Sequence, residues 1–217
     1  MNIFEVIERR RSIRNYSEEP VEWDKVVKIL ESAIKAPSSG NVQNWRFVIV
    51  TDKNLRAKLA EASLQQYWME KAPIHIVVCS ENFMVKKLYG ERGEKLYAIQ
   101  NCAAAIQNML LTATALGLGS CWVGAFEDEA VARILGISGD VTIQAIITLG
   151  YSHEKPSTPM HITLEDVCYF EKYKNKIKDI DTVLWNFNVV GKAVKSTKNF
   201  GLKITEKLKR RLKQKNK

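Results

Sequence analysis

The sequence predicts a core domain of interleaved helices and strands, residues 1–170, followed by a basic appendage, residues 171–217. Three observations carry this reading. The first is composition: 217 residues with 46% apolar, 26% charged and 9% aromatic side chains lie in the ordinary globular range and suffice for a sizeable core. The second is periodicity, because apolar stripes recurring near every 3.6 residues alternate with short apolar runs of strand length, without Rossmann spacing. The third is charge: residues 171–217 hold 15 Lys/Arg and 4 Asp/Glu, against 18 and 20 in the residues before them. The formal charge of +9 therefore belongs to the tail, and an argument for a polyanion or an anionic membrane concerns the tail alone.

Taken in order, residues 3–10 predict a short helix with Ile3, Phe4, Ile7 and the stem of Arg11 at helical spacing, leading into the basic turn Arg9-Arg10-Arg11-Ser12-Ile13-Arg14. Val26, Val27, Ile29, Leu30, Ala33 and Ile34 form the stripe of a second helix, which ends before Pro37. Residues 36–45 are dense in turn formers and in amide or hydroxyl side chains, and enter a buried strand over 46–51. A helix over 55–62 comes next, and Pro73 opens a strand over 74–79. Residues 97–116 are Ala-rich and apolar nearly all round, which predicts a central buried helix. Gly117-Leu118-Gly119 stops it and leads into Ser120-Cys121-Trp122-Val123-Gly124. A short helix over 128–135 ends at Gly136, and a strand over 141–149 closes at Gly150-Tyr151.

Several chemistries are disfavoured at once. Cys79, Cys102, Cys121 and Cys168 show no CxxC pairing and no His at metal-ligand spacing, which argues against zinc and for free thiols in a reducing cytoplasm. The N-terminus lacks the apolar stretch of a signal peptide, and no apolar run is long enough to span a bilayer. Neither a GxSxG elbow, nor HExxH, nor a phosphate-binding GxxxxGK[ST] loop occurs. His75, inside an apolar strand, reads as a structural residue.

Three segments are suited to ligand chemistry. The Arg-Arg-Arg-Ser-Ile-Arg cluster is either a solvated basic turn or an anion site, since guanidinium groups and a hydroxyl beside a turn can surround a phosphate. The Pro-Ser-Ser-Gly-Asn-Val-Gln loop offers donors and acceptors for a polar heteroaromatic ring, or is an ordinary helix-to-strand connection. The Gly-Leu-Gly-Ser-Cys-Trp-Val-Gly run lets backbone approach a flat ligand, or is a helix cap followed by a strand.

In this order the three segments, together with Leu149-Gly150-Tyr151 and Glu154-Lys155-Pro156, resemble the nitroreductase family of FMN-dependent oxidoreductases over about residues 1–170. The resemblance implies an α+β fold of three layers, with a central mixed, mainly antiparallel sheet flanked by helices. It also implies a homodimer with two FMN sites at the interface and NADH or NADPH as electron donor. Carried over by position, Arg10, Ser12 and Arg14 would hold the FMN phosphate and ribityl chain, with Arg11 acting largely through its backbone. Pro37, Ser38, Ser39, Asn41 and Gln43 would line the flavin from the partner chain, and Trp122, Val123 and Gly124 would pass along the isoalloxazine. Where the family places a further phosphate-binding Arg, this sequence has His161, a weaker anion ligand.

The implied activity is reduction of an electron-poor acceptor, a nitroaromatic, a quinone or a related compound, by ping-pong hydride transfer through flavin N5, without a side-chain acid or base. Tyr67, Trp68, Phe83 and Tyr89 fall in the segments that vary with substrate choice, where aromatics either stack on an acceptor or simply pack. In the tail, Phe200, Ile204, Leu208 and Leu212 recur every four residues among lysines and arginines, a basic amphipathic helix pattern. It reads first as an arm on the partner subunit and second as a contact with an anionic membrane surface, which would make the cytoplasmic protein peripheral. Nucleic acid is disfavoured because no reader motif accompanies the charge. The alternative to an enzyme is a non-catalytic flavin-binding or membrane-associated module acting through the tail.

Overall fold

The apolar runs pair into one sheet, and the two faces of that sheet account for the helix stripes. In the computed structural model, which describes residues 1–154 and 156–176, the elements are α1 (Ile3–Arg9), α2 (Trp23–Ala33), β1 (Trp45–Val50), α3 (Lys53–Ala62), β2 (Ile74–Glu81), α4 (Phe83–Arg92), α5 (Ala98–Ala115), β3 (Gly119–Val123), α6 (Asp128–Leu135), β4 (Val141–Gly150) and α7 (Leu164–Val167). The amphipathic pattern expected in the tail lies outside the described residues. The chain divides into two units, one ending at Pro156 and one beginning at Ser157.

In the first unit the strands lie in the order β1-β2-β4-β3, each antiparallel to its neighbour. One row of the register runs Val50, His75, Thr148, Cys121 across all four strands. Because side chains alternate along a strand, the sheet has two buried faces. Ile76, Val78, Ile147 and Leu149 pack with Val26 and Ile29 of α2 and with Ile106 and Met109 of α5. Val77, Cys79 and Ile146 pack with Leu59 of α3 and Val131 of α6. The result is the three-layer α+β arrangement expected from the resemblance, with the sheet between two helical layers.

Local chemistry sets the helix ends. Asn2 and Asp52 accept, through their side chains, from the N–H groups of Glu5 and Leu55, which caps α1 and α3. Gly136 ends α6 in the left-handed region at φ +67°. Strand β2 is buried from Ile74 to Ser80, His75 included, whose Nε2 lies 2.9 Å from the Met69 carbonyl. That geometry fits the structural role read from the sequence.

Two helices differ from expectation. In α1 only Val6 is buried, while Ile3, Phe4 and Ile7 are exposed, Phe4 to 79%. In α5 one face enters the core but Ile99 on the other is 48% exposed, so a helix apolar nearly all round is covered within this chain on one side only. A third helix, α4, has no counterpart in the sequence reading: Val85 alone among its ten residues is buried, so no apolar stripe announces it.

Candidate functional site

The basic cluster begins where α1 stops. Arg10 caps the helix with its N–H on the Val6 carbonyl, and the chain then runs extended beside β3. Ser12 and Ser120 form a parallel bridge, and Ile13 N–H donates to the Ser120 carbonyl at 2.9 Å. Ile13 is buried while Ser12 and Arg14 on either side of it are exposed, as an extended backbone against a sheet edge requires.

Two glycines make room for this docking. Gly119 and Gly150 oppose each other in the β3–β4 ladder. A Cβ on Gly119 would stand 2.9 Å from Ile13 Cγ2, and one on Gly150 would stand 2.6 Å from the Pro73 ring and 2.9 Å from Tyr16. Tyr16 then anchors the segment: it is buried, and its hydroxyl shares a 2.7 Å hydrogen bond with Thr148 Oγ1. Burial raises the Tyr16 pKa above the ordinary phenol value, so the hydroxyl stays protonated.

The side chains of the cluster have distinct surroundings. Arg11 Nη1 donates to the carbonyls of Glu8 and Arg10. The Arg14 guanidinium lies over the Trp68 ring, 5.7 Å from its centroid. A cleft of about 650 Å³ opens beside the segment, with Arg9, Arg11, Gly117, Gly119 and Glu154 among its walls. On β3, Trp122 is 39% exposed between buried Cys121 and Val123. Gly124 is open, since a Cβ there would meet only the Trp122 indole, at 3.7 Å. The Ser12 bridge covers β3 at Ser120, short of residues 122–124. Guanidinium groups and a hydroxyl on one extended stretch suit a phosphate dianion, and an open strand end beside an exposed indole suits a flat ring.

The polar loop is elsewhere. It precedes β1, at the other edge of the sheet, and Trp45 pairs with Ser80, six residues along β2 from the Ile74–Leu149 level at which Ser120 joins. Three strand spacings and six residues of rise separate the two corners by about 14 Å across and about 20 Å along the sheet. The loop is internally bonded. Gln43 N–H donates to Ser38 Oγ at 3.1 Å and Gln43 Nε2 to Asn41 Oδ1 at 2.9 Å. Gly40, Asn41 and Gln43 have positive φ, and the Tyr89 hydroxyl sits over Gly40 where a Cβ would be. Pro37, Asn41 and Gln43 are exposed, while Ser38 and Ser39 are half-buried.

The structure thus joins Arg10, Arg11, Ser12 and Arg14 to the strand that leads into Trp122, Val123 and Gly124, and leaves 37–43 at the opposite corner. His161 belongs to the second unit, where it is exposed ahead of α7. Sequence reasoning missed the Tyr16–Thr148 anchor, which no motif marks. It also missed Asn101, the buried amide of α5, which nothing in the sequence singles out from Gln100, Gln107 and Asn108 on the same helix.

Known proteins place this arrangement. The Nitroreductase family profile matches residues 7–68 and 63–151. A relative from Archaeoglobus fulgidus, bearing an NADH dehydrogenase/NAD(P)H nitroreductase name, is 35% identical over 154 residues, 69% of this chain and 85% of that one. An NADH dehydrogenase of Thermus thermophilus is 33% identical over 186 residues, covering 73% and 91% of the two chains. Among solved structures, an FMN-dependent nitroreductase from Clostridium difficile superposes with a TM-score of 0.68 at 26% identity, over 78% of this chain and 99% of that one. The chain belongs to the nitroreductase family.

Proposed function

We propose that this protein is an FMN-dependent NAD(P)H oxidoreductase that reduces an electron-poor acceptor and works as a homodimer. The observation that carries the reading is the docking of the arginine segment on β3, which brings an anion-binding stretch and an open strand end onto one edge of the sheet. The relatives named for NAD(P)H and FMN chemistry support it.

FMN, when bound, would supply the redox chemistry that links NAD(P)H oxidation to reduction of the acceptor. The residues of this chain bind and orient. Arg10, Ser12 and Arg14 hold the phosphate and ribityl chain with charge-assisted bonds, while Arg11, its guanidinium turned onto its own backbone, contributes main chain. Residues 122–124 present backbone and the Trp122 face to the ring. Pro37, Ser38, Ser39, Asn41 and Gln43 reach a flavin from the partner, a role that their distance from Arg10–Arg14 within one chain supports. The exposed apolar residues Ile3, Phe4, Ile7 and Ile99 support a subunit interface that covers them.

The test is spectroscopic. Purified protein should carry or take up FMN with flavin absorbance near about 370 and 450 nm, which anaerobic NADH or NADPH bleaches and an added quinone or nitroaromatic restores. Protein that takes up no FMN refutes the site; bound FMN that neither nucleotide bleaches refutes the enzyme and leaves a flavin-binding module.

A further inference from the structure

We infer that Asn101 is the positioning residue for the flavin-facing loop: its single carboxamide ties both ends of residues 39–44 to α5 and so sets the loop's shape. The inference rests on the FMN reading above. Asn101 lies in the first turns of α5, 4% exposed. Its Oδ1 accepts from Ser39 N–H at 3.0 Å, and its Nδ2 donates to Ser39 Oγ at 3.1 Å and to Asn44 Oδ1 at 2.7 Å. One side chain therefore satisfies a backbone donor, a hydroxyl and a second buried amide, on both sides of the Gly40–Gln43 turn.

The loop needs such a tie. Gly40, Asn41 and Gln43 all sit at positive φ, which costs energy for the two residues that carry a Cβ, and only surrounding structure can hold them there. The loop's other bonds are local, Gln43 N–H to Ser38 Oγ, Gln43 Nε2 to Asn41 Oδ1, Asn41 and Val42 N–H to the Ser38 and Ser39 carbonyls and Arg46 Nη1 to the Gln43 carbonyl, and they fix its inside but not its place on the molecule. Asn44 adds the second half of the argument. It is 3% exposed, its carbonyl accepts from Glu81 N–H at 2.8 Å, and its Nδ2 has no partner. The bond from Asn101 is therefore the side-chain contact that orients the Asn44 carboxamide. Truncating Asn101 takes the partner from a part-buried backbone N–H and from the buried Asn44 amide together, and the loop must move to rehydrate them.

Asn108 supplies a control on the same helix. Its Nδ2 donates to the Ser32 carbonyl of α2 at 3.0 Å, a comparable helix-to-neighbour bond that does not touch the loop.

The experiment titrates full-length apoprotein with FMN, following flavin fluorescence, and records the thermal midpoint of each apoprotein. Wild-type binding checks the FMN reading on its own, so a failure of that reading is distinguishable from a failure of the Asn101 tie. Asn101→Ala should bind FMN at least about 10-fold more weakly, the loss expected from a buried hydrogen-bonded group. Asn101→Asp, which keeps an acceptor for Ser39 N–H and lets Asn44 turn its free amide donor inward, should recover most of that affinity. Asn108→Ala should lower the thermal midpoint yet bind FMN like the wild type. An Asn101→Ala protein with wild-type affinity overturns the inference, and so does an equal loss in Asn108→Ala, which would trace the effect to general loosening of α5. If Asn101→Ala does not fold, Asn101→Ser is measured in its place against the same two outcomes.

Discussion

His75 illustrates what a single residue contributes. It lies fully buried in β2, Nε2 against the Met69 carbonyl and Nδ1 without a partner. Burial pushes its pKa down to about 4, and the Arg56 charge acts in the same direction. The folded protein thus holds the neutral ring, whereas the unfolded chain takes up a proton near 6.5. The stability this supplies is fully present above pH 6.5 and is lost as pH falls toward 4, a span worth roughly 3 kcal/mol. Denaturant midpoints measured from pH 8 to pH 4 should fall through that window in the wild type and much less in His75→Gln. Parallel profiles would show that His75 does not set the acid limit. The three buried cysteines, by contrast, are held as thiols: burial raises the thiol pKa of Cys79 to about 11 and of Cys102 to about 12, and raises that of Cys121 as well, so none presents a thiolate at neutral pH.

Among the elements, β3 depends on glycine at one point. Gly119 has no room for a side chain because Ile13 fills the space, so Gly119→Ala must push the arginine segment away from the sheet. We expect it to cost about 1–3 kcal/mol, as overpacking does, and to weaken FMN binding in the same protein, since Arg10 to Arg14 would lose their register. A calorimetric scan and an FMN titration check the two together; a loss of stability with FMN affinity unchanged would separate the docking from the site. Elements with clear periodicity were legible in the sequence. The helix Asp128–Leu135 and its stop at Gly136 match residue for residue, and the strands fall within a residue or two of their expected bounds. The helix α4 was not, because it buries one side chain and carries Gly90 at φ +61° inside it, so neither stripe nor continuous helical sequence was present to read. The role of Asn101 was hidden for a related reason: its partners are some 60 residues away in sequence, and an amide within an Ala-rich helix reads as helix interior.

For the whole molecule, the governing fact is that the three chemistry-bearing segments do not converge within one chain. Composition and turn chemistry marked each segment as polar or basic, but strand order is set by long-range pairing, which no local pattern encodes. The β1-β2-β4-β3 order puts the arginine segment and the amide loop at opposite corners. The exposed apolar residues of α1 and α5 belong to the same picture, since faces left uncovered by one chain fit cover by a second. Among the described residues no helix is long and apolar enough to cross a membrane.

If each flavin site takes its arginine segment from one chain and its loop from the other, two defective variants should complement. Arg10→Ala/Arg14→Ala and Asn41→Ala/Gln43→Ala, each carrying a different affinity tag, should bind little FMN as homodimers. Co-expressed and purified through both tags, the mixed dimer has one site with both defects and one with neither, and should bind about one FMN per dimer and regain reductase activity at that site. Mixed dimers as empty of FMN as the parents would place both segments in a site of a single chain and contradict the account.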